Sequence, residues 1–281
     1  MTPSPFRFRK SYQKDSLRPK KSLGQNFLVD RNVIGRMIDA CSLSGDEVVV
    51  EIGPGTGALT REIAPRVKRL IAIETDGSLV ERLRDEFKEQ NVEIIHADFL
   101  RCDLSEILGK AKVKVVGNLP YYISTPIMTK VIENRHLFTE FYLTVQQEFA
   151  ERIVASPGGK DYSSFSCFNQ FYTVPQILFK IKSSAFKPAP KVDSCFLKLT
   201  MRQTPAFPCD DEKFLFHVIR LGFQQRRKTL VNALSTLLPK EQLIILFPSI
   251  GLLLNVRAED VSLEQYVLLA ERLLLRGGES A

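Results

Sequence analysis

Short apolar runs alternate with helix-spaced segments through the first two-thirds of the chain. Residues 48–52, 70–73, 92–95, 113–116 and 141–145 are apolar runs of strand length, while 57–64, 78–89 and 125–132 carry apolar positions at helical spacing. A strand covered on both faces needs apolar side chains pointing both ways, so it reads as an unbroken run rather than an alternation. Strand–helix alternation of this kind predicts a parallel sheet with helices on both faces. A helical stretch at 146–155 is followed by two more strand-like runs, 174–181 and 195–201, which flank a Pro-rich loop and suit an antiparallel edge. From Asp211 the spacing is helical: Phe214, Val218 and Leu221, then Leu230, Leu237 and Leu238. The expected fold is therefore α/β, a Rossmann-like sheet with a small C-terminal α-helical domain. The division falls near residue 205: a basic arm over 1–20, the sheet domain over 21–204, and a helical domain over 205–281.

Charge adds one feature to this picture. The net charge is +7, and residues 1–21 carry +6 of it, with seven basic residues against Asp15. A basic arm on a nearly balanced body suits a polyanionic partner such as nucleic acid, but charge alone equally describes a solvated tail. The N-terminus has no apolar core of a signal peptide, though its Arg and Ser content leaves an organellar transit segment open. Five scattered cysteines without paired spacing indicate reduced thiols in a cytosol-like compartment. Neither they nor the isolated His96, His136 and His217 have ligand spacing, so no metal is assigned. The most apolar stretch, 243–256, is broken by Pro248 and Gly251 and is too short to span a bilayer. A cytoplasmic monomer without a membrane partner is the expectation.

The chemistry concentrates at the predicted strand ends. The first strand runs into Glu51-Ile52-Gly53-Pro54-Gly55-Thr56-Gly57 and opens a helix. Glycines there let the backbone approach a ligand closely. Such turns are common, and alone this one is equally consistent with a plain structural turn. The second strand ends in Glu74, about twenty residues on, where this kind of fold grips a ribose hydroxyl pair. The third ends at His96-Ala97-Asp98, an acid suited to an adenine amine or, equally, to capping the next helical turn. Three successive strand ends thus supply glycines, a ribose acid and an adenine acid. That order resembles class I methyltransferases, whose cofactor carries adenosine without a pyrophosphate.

The fourth strand ends in Gly117-Asn118-Leu119-Pro120-Tyr121-Tyr122, which resembles the N/D-x-P-Y/F loop of methyltransferases acting on base amines. An adenine amine is a poor nucleophile because its lone pair is delocalised into the ring. The Asn118 side-chain oxygen and the Leu119 carbonyl can accept its protons, and Pro120 biases Leu119 towards an extended conformation. Tyr121 offers a face for stacking.

Three further segments, KSLGQNFL at 21–28, FKPAPKVDS at 186–194 and FQQRRKTL at 223–230, complete a close resemblance to the small-subunit ribosomal RNA adenine N6,N6-dimethyltransferases. It runs from about Lys20 to the C-terminus. It implies S-adenosylmethionine as cofactor and, as substrate, two adjacent adenines in a stem-loop near the 3′ end of small-subunit ribosomal RNA within an assembling particle. It also implies cofactor contacts at Asn26, Leu28, Gly53, Glu74, Asp98 and Asn118, and a target base placed between Tyr121 and Phe186. Read without the resemblance, FKPAPKVDS is a Pro-stiffened loop with Phe186 as a core anchor. Arg226, Arg227 and Lys228 could form a solvated helix face, but with Arg220 close by and Phe223 between them a phosphate-contacting patch is the expectation. Two other readings compete: a large-subunit adenine methyltransferase of the antibiotic-resistance type, and a non-catalytic assembly or transcription factor on the same fold. The FQQRRKTL segment favours the small-subunit enzyme over the first. The intact cofactor positions argue against the second.

Overall fold

Residues 24–109 and 111–278 are described in the computed structural model. The basic arm expected over 1–20 and the first residues of the 21–28 motif lie outside them. The chain enters through a two-residue strand, β1 (Phe27–Leu28), and α1 (Arg31–Ala40), capped by the Asp30 carboxylate. The alternating region then follows: β2 (Val48–Ile52), α2 (Thr60–Ile63), β3 (Arg69–Glu74), α3 (Gly77–Glu86), β4 (Val92–His96), α4 (Leu104–Leu108), β5 (Val113–Asn118), α5 (Ser124–Glu133) and β6 (Phe138–Gln146). After α6 (Gln147–Val154) and α7 (Ser164–Tyr172) come β7 (Thr173–Ile181), β8 (Phe186–Lys187) and β9 (Ser194–Met201). The C-terminal lobe is α8 (Glu212–Gln224), α9 (Leu230–Ala233), α10 (Lys240–Ser249) and α11 (Leu263–Gly278).

Seven strands form one sheet in the order β4-β3-β2-β5-β6-β9-β7, and β1 pairs with β8 as a separate ribbon. From β4 to β6 all neighbours are parallel, whereas β9 is antiparallel to both β6 and β7, so the expected antiparallel edge is present. Because β2 is followed outward by β3 and β4 on one side and neighboured by β5 on the other, strand order reverses between β2 and β5. A crevice opens at such a reversal, beyond the carboxyl ends of the strands. Here those ends are Ile52, paired with Gly117, and their successors Gly53 and Asn118. The fold thus delivers the two sequence motifs to one place.

Apolar side chains from both faces of the sheet bury separate clusters, one around Phe141, Leu143 and Met128, the other around Met37, Tyr142 and Phe196. Alternate residues of β6 supply both, as the pleat requires. The structure differs from the sequence expectation at several points: α1 and α4 were not anticipated, and Leu237 and Leu238 lie between α9 and α10 rather than in a helix. The helix expected over 57–64 shortens to α2 followed by a 3-10 turn, Ala64–Arg66, containing Pro65. Helix α7 was not anticipated; a reciprocal Ser163–Ser166 capping box starts it. Finally, residue 205 does not divide two cores. Tyr162, Cys167, Phe171 and Tyr172 from before that point pack in one cluster with Leu215, Leu230, Phe247 and Tyr266.

Candidate active site

The turn after β2 is shaped by backbone sterics. Gly53 and Gly55 hold φ of +66° and +57°, the left-handed region that side chains resist. At Gly55 a Cβ would also stand 3.2 Å from two ring carbons of Phe27. Glu74 fixes this turn to the end of β3. Its Oε2 accepts the Gly55 N–H at 3.0 Å, and its Oε1 accepts those of Thr75 and Asp76, each at 2.9 Å. Glu74 is buried, 7% exposed as a residue. Glu51, buried beneath the same turn, accepts a 2.7 Å hydrogen bond from the Thr60 hydroxyl. Burial, reinforced by the nearby Glu74 and opposed by the Thr60 bond, pushes its carboxyl up to about 7.

Asp98 follows β4. Its Oδ1 accepts the Leu100 N–H at 3.0 Å and caps the 3-10 turn Phe99–Arg101, as the structural alternative required. The side chain nevertheless stays partly exposed and lines the cleft, so capping does not remove it from the site. Asn118 closes β5. Its Nδ2 donates to the Asn26 carbonyl at 3.1 Å, which fixes the amide orientation and leaves Oδ1 as the acceptor in hand. Leu119 is buried, and Pro120 at φ −58° leads into the 3-10 turn Tyr121–Ile123. The Tyr121 hydroxyl lies 2.7 Å from Ser194 Oγ, at the start of β9. Burial raises its pKa, with the Ser194 bond acting the other way.

These groups surround a cavity of about 340 Å³ at the strand-order reversal, within the size range of small-molecule sites. Asn26, Leu28, Gly53, Glu74, Asp98, Asn118, Leu119 and Tyr121 all line it. Phe186 does not. Its ring is 2% exposed and packs with Leu28, Ile181 and Phe196, while its backbone pairs with Leu28. The core-anchor reading describes its position; a stacking role requires it to leave that cluster. Sequence reasoning placed Glu51 at the head of the glycine motif but gave no role to it, to Ser194 or to Tyr122. The signal for Ser194 and Tyr122 was present, since each closes a motif already singled out.

The basic patch divides as well. Arg220, Arg227 and Lys228 are exposed. Arg226 departs from the phosphate-contact expectation. Its Nε donates to Glu259 at 3.1 Å, and its Nη2 to the carbonyls of Lys160 at 2.8 Å and Tyr162 at 3.3 Å. That guanidinium ties the C-terminal lobe to the loop before α7. Among the described residues no His, Cys, Asp or Glu cluster could hold a metal ion, and no helix is long and apolar enough to cross a membrane.

Comparison with known proteins resolves the family. The family model for ribosomal RNA adenine dimethylases matches residues 16–274. The chain belongs to that family. Among its curated relatives, ribosomal RNA small subunit methyltransferase A of Geobacillus thermodenitrificans is 40% identical over 266 residues, 91% of each chain. Its counterpart from Moorella thermoacetica is likewise 40% identical, over 91% of this chain and 92% of that one. Two solved structures superpose over most of the molecule. A dimethyladenosine transferase from Plasmodium falciparum gives a TM-score of 0.74 at 25% identity, covering 90% of this chain and 98% of that chain. The 23S rRNA methyltransferase ErmE gives 0.71 at 28% identity, covering 88% and 99%. The fold is that of the class I rRNA methyltransferases, and membership of the dimethylase family implies S-adenosylmethionine as cofactor.

Proposed function

We propose that this dimethylase transfers methyl groups from S-adenosylmethionine to the exocyclic amines of two adjacent adenines near the 3′ end of small-subunit ribosomal RNA. It acts as a cytoplasmic monomer on an assembling particle. The observation that carries the reading is the Asn118 amide, whose Nδ2 is engaged by the Asn26 carbonyl so that Oδ1 is left as the acceptor. It stands at a cleft that also holds the glycine turn and Glu74.

The residues present fit the cofactor. Gly53 has open space where a Cβ would stand, so a side chain there would project into the cleft. Glu74 would take the ribose hydroxyls, Asp98 the adenine amine, and the backbone around Asn26, Leu28 and Gly53 the remainder of the molecule. S-adenosylmethionine supplies a methyl group activated on a sulfonium. The chain's own residues prepare the nucleophile. Asn118 Oδ1 and the Leu119 carbonyl accept the two N–H groups of the target adenine, which localises the nitrogen lone pair towards the methyl donor. As positive charge develops on nitrogen, the same acceptors stabilise it. Each transfer costs the amine one N–H proton, released to water, so two acceptors serve the first step and one suffices for the second. Tyr121, tethered through Ser194, supplies a fixed ring for the flipped base.

Asn118→Ala removes one acceptor and should lower the single-turnover rate at saturating cofactor by about a hundredfold or more. A rate within about tenfold of wild type would dismiss the transition-state role of Asn118. Primer extension on both ribosomal RNAs after reaction identifies the substrate. Stops confined to the large-subunit RNA would assign the enzyme to the other class.

A further inference from the structure

Tyr121 and Tyr122 are consecutive yet placed in opposite ways. Both line the cleft. Tyr121 is tethered by its hydroxyl to Ser194. Tyr122 is 62% exposed, and its hydroxyl has no hydrogen-bond partner among the described residues. The turn that carries them, Tyr121–Ile123, is a 3-10 helix. Three residues per turn send successive side chains about 120° apart, so the two rings face different parts of the same opening.

The Tyr122 ring is supported from behind. Gly24, at φ +57°, lies so close that a Cβ there would stand 3.1 Å from both Cδ1 and Cε1 of the ring. The absence of a side chain at residue 24 is what lets the ring lie against the backbone. The turn itself is held by the Ile123 N–H on the Pro120 carbonyl at 3.1 Å and by the Ser124 hydroxyl on the same carbonyl. An aromatic ring with one side packed on glycine, the other open, and its backbone fixed at the cleft entrance is a preformed stacking surface. The backbone beneath the ring is fixed, so a ligand has little backbone freedom left to remove on binding.

We propose that Tyr122 forms a second base-binding subsite at the mouth of the cleft, a platform on which the unpaired purine adjoining the target adenine stacks. This rests on the proposed function, which supplies the single-stranded substrate, and deepens it by assigning a place to the neighbour of the reacting base. The occupant follows from continuity. A base that reaches Asn118 through this opening leaves its covalently linked neighbour beside the entrance, where the exposed aromatic face stands. Every base has a π-face, and stacking on an aromatic side chain needs no hydrogen-bond readout. With two adjacent adenines, the subsite holds one while the other reacts, and the exchange between them precedes the second residue's methylation.

The test compares Tyr122→Ala, Tyr122→Leu and Tyr122→Phe with wild type on small-subunit particles from a strain lacking the modification. Position-resolved mass spectrometry follows each adenine separately, and calorimetry measures S-adenosylmethionine affinity. Tyr122→Ala and Tyr122→Leu should raise KM for the particle about tenfold, as expected for one lost base–aromatic stack. They should also accumulate product modified at one adenine, while Tyr122→Phe, which keeps the ring, behaves as wild type and cofactor affinity is unchanged in all three. A parallel arm titrates each protein into a single-stranded oligonucleotide carrying 2-aminopurine beside an adenine. Wild type and Tyr122→Phe should quench its fluorescence, and the Ala and Leu variants should not. Equal KM, equal product distribution and equal quenching for wild type and Tyr122→Ala would overturn the subsite, as would Tyr122→Phe being as damaged as Tyr122→Ala. Wild-type enzyme that leaves the adenine pair unmodified refutes the proposed function instead, and the fluorescence arm then decides the subsite by itself.

Discussion

Replacing Glu74 should damage both the fold and cofactor binding, by amounts the hydrogen bonds allow to be worked out separately. The carboxylate is the shared acceptor of three backbone N–H groups, on Gly55, Thr75 and Asp76. Bonds to a charged acceptor contribute about 1.5–3 kcal/mol each, and a buried donor left unpaired costs about 1–3 kcal/mol. The cleft admits water to part of this network, so Glu74→Ala should cost about 3 kcal/mol rather than the full sum. In a chain of this size that lowers Tm by roughly 6–12 °C. Glu74→Gln is not a mild change. With its one carbonyl oxygen kept on Thr75 and Asp76, its NH2 group opposes the Gly55 N–H, donor against donor, and loosens the turn that places Gly53. The ribose contact proposed for the same carboxylate sets the second effect: losing it should weaken S-adenosylmethionine binding at least about tenfold, or 1.4 kcal/mol. Scanning calorimetry without cofactor reads the first quantity, and titration calorimetry on the folded variant reads the second. A Glu74→Ala protein that melts within about 2 °C of wild type would refute the anchoring argument. Unchanged affinity in that folded protein would take Glu74 out of the cofactor site.

Two further outcomes are expected. Glu51, buried and with its carboxyl raised to about 7 against a usual 4.5, binds its proton more tightly folded than unfolded. Its contribution to stability is therefore full below pH 4.5 and is lost as pH rises through 7, by an amount on the order of 3 kcal/mol. Glu51→Gln should flatten the dependence of Tm on pH across that window, and an unaltered profile would show that Glu51 does not titrate there. In the basic patch, Arg226→Gln should lower stability by about 1 kcal/mol without changing the salt dependence of RNA binding. Replacing Arg227 and Lys228 together should reduce the slope of log K against log salt by about 1.5. A slope that responds to Arg226 alone would reverse the assignment.

The cleft was legible in the sequence because its chemistry is local. Gly53, Glu74, Asp98 and Asn118 each sit at or just beyond a strand end, and a parallel sheet brings such ends to one edge whatever the loops do. What escaped was decided by distant partners. FQQRRKTL reads as one cationic patch, yet Arg226 is claimed by Glu259 and by the carbonyls of Lys160 and Tyr162, all far along the chain. Phe186 lies on a strand of two residues, too short for any pattern to say which way its ring points. The boundary near 205 follows a real change from strand to helix, but the cluster that joins α7 to α8–α11 ignores it. Helix α7 itself, Ser-Phe-Ser-Cys-Phe-Asn-Gln-Phe-Tyr, is rich in residues that propensity places elsewhere. Its capping box and the aromatic contacts of Phe168, Phe171 and Tyr172 with Phe216 override that preference.

The position of Phe186 gives the Pro-rich 186–194 segment a role that needs no contact with substrate. Phe186 anchors β8 in the apolar cluster, and β8 pairs with β1 through Leu28 and Phe27. β1 directly follows Asn26, whose carbonyl takes the Asn118 Nδ2 and so leaves Oδ1 as that amide's acceptor. At its other end the segment reaches Ser194, which holds the Tyr121 hydroxyl. Just before it, the Asp193 carboxylate accepts from the Ser183 N–H and the Lys182 ammonium, while its carbonyl accepts the Gln147 N–H. The two ends of one segment therefore set the two groups proposed to meet the target base, the acceptor through a two-strand ribbon and the ring through a single hydrogen bond. An acceptor fixed in this way need not reorganise as charge develops on the amine, which is the condition under which a hydrogen bond is worth most in a transition state.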